Sequence, residues 1–345
     1  MNYVSRKMTG KIPYEPIKGS YRLRLDANES PFNISPEIKD EFIKQLTNAD
    51  LNRYPDPSAC ELREAFAERY KINSDNVVAG NGSDELISVI MTSLLDKGDT
   101  LAVAYPDFSM YAFYADLSEN QICVYDKNNN YTLDDLLDFV KQTNSRAVVF
   151  SNPCNPTSLG FSRSEVLEFV KNCPALCIID EAYMDFWSES ILDEADKHEN
   201  LIVLKTLSKA YGAAGIRLGF AIGHSSLINA LNIARSPYNV NTMSQLLGTI
   251  ILKKAEDKSD FLASQAKKLE QSLRELLPDA IVYPTKANFV FLIHKKADAI
   301  YKDLLNREIA VRYFYPDKLR ISSSTDDELD ILLSTLTEII GTDIQ

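Results

Sequence analysis

Between residues 36 and 240 the chain alternates two rhythms of apolar positions. Short β-branched or apolar runs at 101–104, 121–125, 147–150, 176–179, 201–204 and 218–222 read as strands. Stretches of helical length separate them. Residues 58–70 carry apolar side chains at helical spacing, and Ser58 and Glu61 stand at the spacing of a capping box. Residues 83–95 read as a second helix, beginning just after Gly80-Asn81-Gly82. This alternation predicts an α/β fold: a mostly parallel sheet flanked by helices on both faces. Past residue 241 the rhythm changes. Residues 242–277 read as one long polar helix, followed by strands at 280–283 and 288–293 and helices at 297–306 and 326–340. That order suits a smaller α+β domain. Residues 1–35 are irregular and carry several prolines, as an arm packed against the smaller domain would. The expected division is an arm (1–35), a large domain (36–240) and a small domain (241–345).

Composition narrows the classes. Of 345 residues, 45% are hydrophobic and 25% charged, which suits a globular protein with a substantial core. A net charge of -12 argues against nucleic acid or anionic membrane as partners. An anionic substrate must then be drawn in by local arginines. The five cysteines are odd in number and scattered, and Cys173 and Cys177 have no second pair or nearby histidine. Reduced thiols, no metal and a cytoplasmic setting are expected. No signal peptide or membrane-length apolar run is seen.

The densest chemistry lies at 205–219, which reads KTLSKAYGAAGIRLG. An apolar strand runs into the hydroxyls of Thr206 and Ser208, then Lys209, small residues and Arg217. A lysine amine becomes a nucleophile when desolvated or set beside another cation. Arg217 can be that cation and can also grip a phosphate with its planar fork. Hydroxyls and backbone N–H groups add phosphate donors. The pattern fits a lysine holding an aldehyde cofactor as a Schiff base next to a bound phosphate. Ser83 and Asp84 start a helix whose first N–H groups are free for an anion, although both residues are also ordinary helix caps.

These residues resemble the fold-type I aminotransferases that use pyridoxal 5'-phosphate. The likeness runs in order through Leu25-Asp26-Ala27-Asn28-Glu29-Ser30-Pro31, Arg53-Tyr54-Pro55-Asp56-Pro57, Gly80-Asn81-Gly82-Ser83-Asp84-Glu85-Leu86 and Tyr105-Pro106-Asp107-Phe108-Ser109-Met110-Tyr111. It continues through Asn152-Pro153-Cys154-Asn155-Pro156-Thr157, Asp180-Glu181-Ala182-Tyr183, the lysine stretch, Ser236-Pro237-Tyr238-Asn239-Val240-Asn241 and Leu319-Arg320-Ile321-Ser322. Within that superfamily the chain is most similar to the histidinol-phosphate aminotransferases, through Tyr54-Pro55-Asp56-Pro57, the 236–241 phrase and Val311-Arg312-Tyr313-Phe314.

The resemblance implies a role for each position. Lys209 would be the Schiff-base lysine and the base of a 1,3-proton transfer. Asp180 would pair with the protonated pyridine nitrogen, and Tyr183 and Asn155 would contact the ring oxygen. Phe108 would stack on the ring. Ser83, Asp84, Thr206, Ser208 and Arg217 would bind the phosphate, joined by Tyr54 from a neighbouring subunit, which implies a homodimer. Arg320 and Arg312 would hold substrate anions, and Tyr14 of the arm would line the pocket. The implied reaction converts L-histidinol phosphate and 2-oxoglutarate into imidazole-acetol phosphate and L-glutamate. An aromatic aminotransferase and a threonine-phosphate decarboxylase share the pattern, and a sensor that binds the cofactor without turnover is the non-enzyme reading. Two departures stand out. The glycine usual two residues after the loop proline is displaced, leaving Ser158-Leu159-Gly160, and Ser322-Ser323-Ser324-Thr325 replaces a segment that usually holds a glycine.

Overall fold

Two sheets organise the chain in the computed structural model, which describes residues 3–13, 15–127 and 131–341. In chain order the elements are β1 (Leu23–Leu25), α1 (Pro36–Thr47), α2 (Cys60–Tyr70), β2 (Val77–Asn81), α3 (Gly82–Ser93), β3 (Thr100–Tyr105), α4 (Met110–Leu117) and β4 (Gln121–Asp126). There follow α5 (Leu133–Gln142), β5 (Ala147–Ser151), α6 (Arg163–Asn172), β6 (Leu176–Asp180), β7 (Leu201–Thr206), β8 (Leu218–Gly223) and α7 (Ser225–Ala234). The chain closes with α8 (Thr242–Lys254), α9 (Ser259–Leu276), β9 (Ile281–Val282), β10 (Phe289–Ile293), α10 (Ala297–Asn306), β11 (Ile309–Phe314), β12 (Lys318–Ser322) and α11 (Asp326–Gly341).

The larger sheet has seven strands in the order β2-β8-β7-β6-β5-β3-β4. It is parallel except for β8, which runs against both β2 and β7. Strand alternation sorts its side chains onto two faces. Leu201 and Val203 of β7 join Leu62 and Phe66 of α2, Leu136 of α5 and Val166 of α6 in one core. Ile202 and Leu204 face the other way, onto Leu86 and Ile90 of α3, Tyr111 of α4 and Leu231 of α7. The result is the expected three-layer α/β architecture. The same alternation sends Lys205 and Thr206 to opposite faces, and likewise Asp180 and Glu181.

The smaller sheet runs β1-β11-β12-β10-β9, with the arm supplying β1 parallel to β11. Its core joins Leu23 and Leu25 to Leu269, Leu292, Ile300, Val311, Leu332 and Leu336. Upstream, the arm also touches the larger domain: Lys7 donates to the Leu117 carbonyl at 2.7 Å, and Lys11 pairs with Asp116 on α4.

Three local expectations are revised. Ser58 and Glu61 form no capping box. The Asp56 carboxylate instead accepts from the N–H groups of Ser58 (2.9 Å) and Cys60 (2.6 Å), and Ala59 precedes α2 in the left-handed region. The capping boxes that form are Thr132/Asp135 before α5 and Ser162/Glu165 before α6. The long helix at 242–277 is two helices, broken where Ala255 turns extended and the Asp257 carboxylate caps Ser259. The first of them, α8, puts Leu247, Ile250 and Ile251 into the larger core, so packing carries that core beyond residue 240.

Candidate active site

The C-terminal edge of the larger sheet gathers the chemistry, as open α/β sheets do. β2 ends at Asn81 and leads directly into α3. β6 ends at Asp180. β7 and β8 are joined by the loop that carries Lys209 and Arg217.

Two glycines open a cradle at the start of α3. A Cβ on Gly219 would lie 2.3 Å from the Ser83 nitrogen, and one on Gly82 would lie 2.6 Å from Nη2 of Arg217. Only hydrogen side chains leave that space. The Asn81 side chain does not cap the first turn of α3, which leaves helix-start N–H groups suited to an anion. The Asp84 carboxylate is 3.4 Å from Arg217, and the Arg217 backbone is itself left-handed. Thr206 Oγ1 lies 3.0 Å from the Leu218 carbonyl and accepts the Ser208 N–H at 3.1 Å. Thr206 therefore shapes the loop, and Ser208 Oγ stands 3.0 Å beside it. Backbone donors, a hydroxyl and a guanidinium around a cleared space form a donor set suited to a phosphate dianion.

Asp180 is buried at the end of β6, with its face set by Ile178. Tyr111 donates to Oδ2 at 2.7 Å and the Ala182 N–H to Oδ1 at 2.9 Å. Burial pushes the carboxyl up to about 6; those two hydrogen bonds pull against it, and Asp107 and Asp84 add to the rise. Among the described residues no cation pairs with Asp180. A protonated ring nitrogen placed there would relieve the desolvated carboxylate, so the site fits the cofactor that the motifs imply.

Lys209 leaves the sheet edge with its amine donating to the Ala27 carbonyl at 2.9 Å, 5.8 Å from the Tyr183 ring centre. Among the described residues no carboxylate ion-pairs with it. The Tyr183 hydroxyl accepts from Asn28 Nδ2 at 2.9 Å, which leaves its own hydrogen available. Phe108 sits half-buried, edge-on to Tyr111 at 5.5 Å, and its N–H is held by Asp107 at 2.8 Å.

The smaller sheet supplies the opposite wall. Arg320 is buried; Nη2 donates to the Asp26 carbonyl at 2.6 Å and Nη1 to Asn155 Oδ1. Since a guanidinium can only donate, this bond fixes the Asn155 amide and turns its NH2 away from Arg320. Arg312 lies directly across the β11–β12 ladder from Arg320, so both project from one face. Both guanidiniums sit 5.9 Å from the Phe314 ring.

The structure thus brings together Ser83, Asp84, Thr206, Ser208 and Arg217 in the cradle. It sets Asp180, Tyr183 and Lys209 along the edge, and Asn155, Arg320 and Arg312 on the far wall. Tyr54 stands apart: it is 80% exposed and stacked on Tyr238 at 4.4 Å. Tyr14 lies outside the described residues. Sequence reasoning missed Asn28 and Tyr111 as parts of the site. Asn28 is fully buried with φ +54, and its N–H donates to Ser322 Oγ at 3.0 Å. Asparagine tolerates the left-handed region, which was the available signal. Tyr111 reads as one more apolar helix residue, and only the tertiary fold shows its hydroxyl reaching Asp180.

A family model described as aminotransferase class I and II matches residues 22–336. The chain is 36% identical to the histidinol-phosphate aminotransferase of Clostridium novyi (strain NT), covering 89% of this chain and 88% of that protein. It is 34% identical to the enzyme of the same name from Thermoanaerobacter sp. (strain X514), covering 98% and 99%. The fold superposes on the histidinol-phosphate aminotransferase of Sinorhizobium meliloti, solved in complex with pyridoxal-5'-phosphate, with a TM-score of 0.84 and 23% identity, over 94% of this chain and 92% of that one. Matched by the family model over nearly all of its length and by relatives above 30% identity, the chain belongs to the class I and II aminotransferases.

Proposed function

We propose that this aminotransferase moves the amino group of L-histidinol phosphate to 2-oxoglutarate, giving imidazole-acetol phosphate and L-glutamate in histidine biosynthesis. The observation that carries the reading is the pair Arg312 and Arg320, side by side on one sheet face and sharing the Phe314 ring. A phosphate monoester in one half-reaction and a dicarboxylate in the other both need two cations in one pocket. The relatives above 30% identity carry the same enzyme name.

Pyridoxal 5'-phosphate, the cofactor, supplies a ring that takes up the electron pair released at the substrate's α-carbon. The chain's residues do the rest. Ser83, Asp84, Ser208 and Arg217 hold the phosphate, with Thr206 shaping their loop. Asp180 would pair with the ring nitrogen and keep a proton there. Tyr183 and the turned amide of Asn155 would donate to the ring oxygen, and Phe108 would pack on the ring face. Lys209 would hold the aldehyde carbon, and substrate binding would free it. Its freed amine then takes the proton from the α-carbon. Arg320 and Arg312 orient the substrate, and Tyr14 lines the same pocket.

Tyr54 is exposed and stacked on Tyr238, which supports a homodimer in which Tyr54 completes the neighbouring phosphate cup. Among the described residues no helix is long and apolar enough to cross a membrane. With five free cysteines and an acidic net charge, this supports a cytoplasmic enzyme.

The test is one half-reaction. Cofactor-loaded protein mixed with L-histidinol phosphate alone is expected to lose the visible absorbance of the lysine-bound cofactor. A change with phenylalanine or tyrosine only would replace this substrate with an aromatic one. Carbon dioxide release without a keto acid would make it a decarboxylase.

A further inference from the structure

The displaced glycine in the Asn155 loop has a structural consequence. Ser158 occupies the position two residues after Pro156 and adopts φ +62, a conformation that favours glycine. Gly160, two residues on, is needed for a different reason: a Cβ there would lie 2.5 Å from the Trp187 ring. A serine held in a left-handed conformation and fully buried needs something to hold it.

Its hydroxyl provides the hold. Ser158 Oγ lies 2.9 Å from Thr285 Oγ1 and accepts the Lys286 N–H at 2.9 Å. Thr285 Oγ1 lies 2.6 Å from the Phe289 carbonyl, which takes its hydrogen. With the Thr285 hydrogen directed to the carbonyls of Phe289 and Ala287, Ser158 is the donor to Thr285, and both hydroxyls are satisfied. Glycine at 158 would leave the Lys286 N–H without its acceptor. A second link runs alongside: Lys286 Nζ donates to the Gly160 carbonyl at 2.7 Å and sits 3.9 Å from the Trp187 ring.

These contacts join two bodies. Ser158 belongs to the loop after β5 of the larger sheet, and Thr285 and Lys286 lead into β10 of the smaller sheet. β10 pairs with β12, where Phe291 stands opposite Arg320, and Arg320 binds Asn155 in the same loop. One loop is thus tied to one sheet at two points, through Asn155–Arg320 and through Ser158–Thr285–Lys286. We propose that Ser158 is a positioning residue: its hydroxyl latches the Asn155 loop to the smaller sheet and so holds Asn155 and Arg320 in register across the pocket. This rests on Asn155 and Arg320 serving the cofactor and substrate as proposed above.

The experiment is a double-mutant cycle in the cofactor-loaded full chain, with Ser158→Ala, Thr285→Val and both together. Three quantities are read: KM and kcat for 2-oxoglutarate, cofactor loss on dilution, and hydrogen exchange of peptides covering 154–160 and 285–289. Each single variant is expected to raise KM about 5- to 10-fold with kcat little changed, the range one buried hydrogen bond supplies. Each is also expected to speed cofactor loss and exchange in both peptides. The double variant is expected to match a single one. Ser158→Gly, which relaxes the backbone but removes the latch, is expected to behave like Ser158→Ala, and it is the substitute if the alanine variant does not fold. Additive effects in the cycle would overturn the latch, as would a fall in melting temperature with KM and cofactor retention unchanged. Exchange and cofactor retention do not depend on the amino donor. A latch confirmed by them in a protein inert towards L-histidinol phosphate would separate this inference from the substrate assignment.

Discussion

Lys205 and Lys209 are four residues apart on one strand and its following loop, and they meet opposite conditions. Lys205 points to the α2 face of the sheet. It is 2% exposed, bound to Asp185 at 2.8 Å and set over the Tyr70 ring. Tyr70 donates to the same carboxylate at 3.0 Å, and Tyr211 and Arg69 extend the network. Burial opposes the Lys205 charge, but Asp185 and Glu181 outweigh it and keep the ammonium firmly protonated. Lys209, at the sheet edge, has a neutral carbonyl and a ring face instead. The same contrast separates two neighbouring acids. Glu181 faces the Lys205 side and is held by Ser190 and the Ile191 N–H. Asp180 faces the cleft, with burial raising its pKa and no cation paired with it among the described residues. Beneath the sheet, charge is paired and fixed; at its edge, charge is left for a ligand to complete.

The largest effect expected is on Lys209. Lys209→Ala should lower turnover by about 10^4-fold or more, as loss of both anchor and base implies. Its melting temperature should stay close to the parent's, because the lost contact is one partly exposed hydrogen bond. Steady-state rates and a thermal melt, taken together, check the separation. Near-normal turnover would refute the role of Lys209.

Lys205→Met should do the reverse. Removing one partner of a buried ion pair costs about 3–5 kcal/mol, because the other charge stays buried. Urea unfolding should show that loss, while the folded fraction keeps near-parental kcat. Adding Asp185→Asn, which removes the stranded charge, should restore most of the stability. A large kcat loss in Lys205→Met would mean that the two sides of the sheet are not independent.

Asp180 gives a prediction with a sign. Burial pushes its carboxyl up to about 6 from an ordinary 3.8, so folding favours the protonated acid. The contribution to stability is full below 3.8 and is lost as pH rises through about 6. At pH 8 the ionised group destabilises the cofactor-free fold by on the order of 3 kcal/mol. Cofactor-free Asp180→Asn should therefore melt higher than the parent at pH 8 and lose that advantage near pH 4, while its turnover with cofactor falls. A melting difference independent of pH would contradict the burial argument.

How much of this was legible in the sequence follows the same divide. Apolar runs located six of the seven strands of the larger sheet, because burial on both faces leaves little alternation; β2 at the edge went unread, and the lysine, aspartate and arginine stood at strand ends. The floor was illegible. Lys205 looks like a neighbour of Lys209 until alternation and Asp185, twenty residues away, place it on the other face. The break at 255–258 was hidden because polar residues suit a helix and a loop alike. Ser58 and Glu61 had capping-box spacing, but Asp56 takes the Ser58 N–H that Glu61 would have accepted. Ser158 was visible only as a departure; its partner, Thr285, is 127 residues away.

Arg320→Lys is the smallest change and tests what the edge region requires of a cation. The guanidinium serves the Asp26 carbonyl and the Asn155 amide at once because its donors form a rigid fork, and in the proposed reaction it would also serve a substrate anion. An ammonium is a point charge and cannot span those partners. KM for 2-oxoglutarate should rise about 10- to 100-fold, in line with losing one or two charge-assisted hydrogen bonds. kcat should fall less, unless the Asn155 amide turns once Arg320 no longer fixes it. Stability should hardly move, because the positive charge and most of the side-chain volume remain. Arg312→Lys separates the roles of the pair. If Arg312 chiefly grips the phosphate monoester, KM for L-histidinol phosphate should rise more than KM for 2-oxoglutarate. Equal rises would mean that the two arginines act as one anion site for both half-reactions.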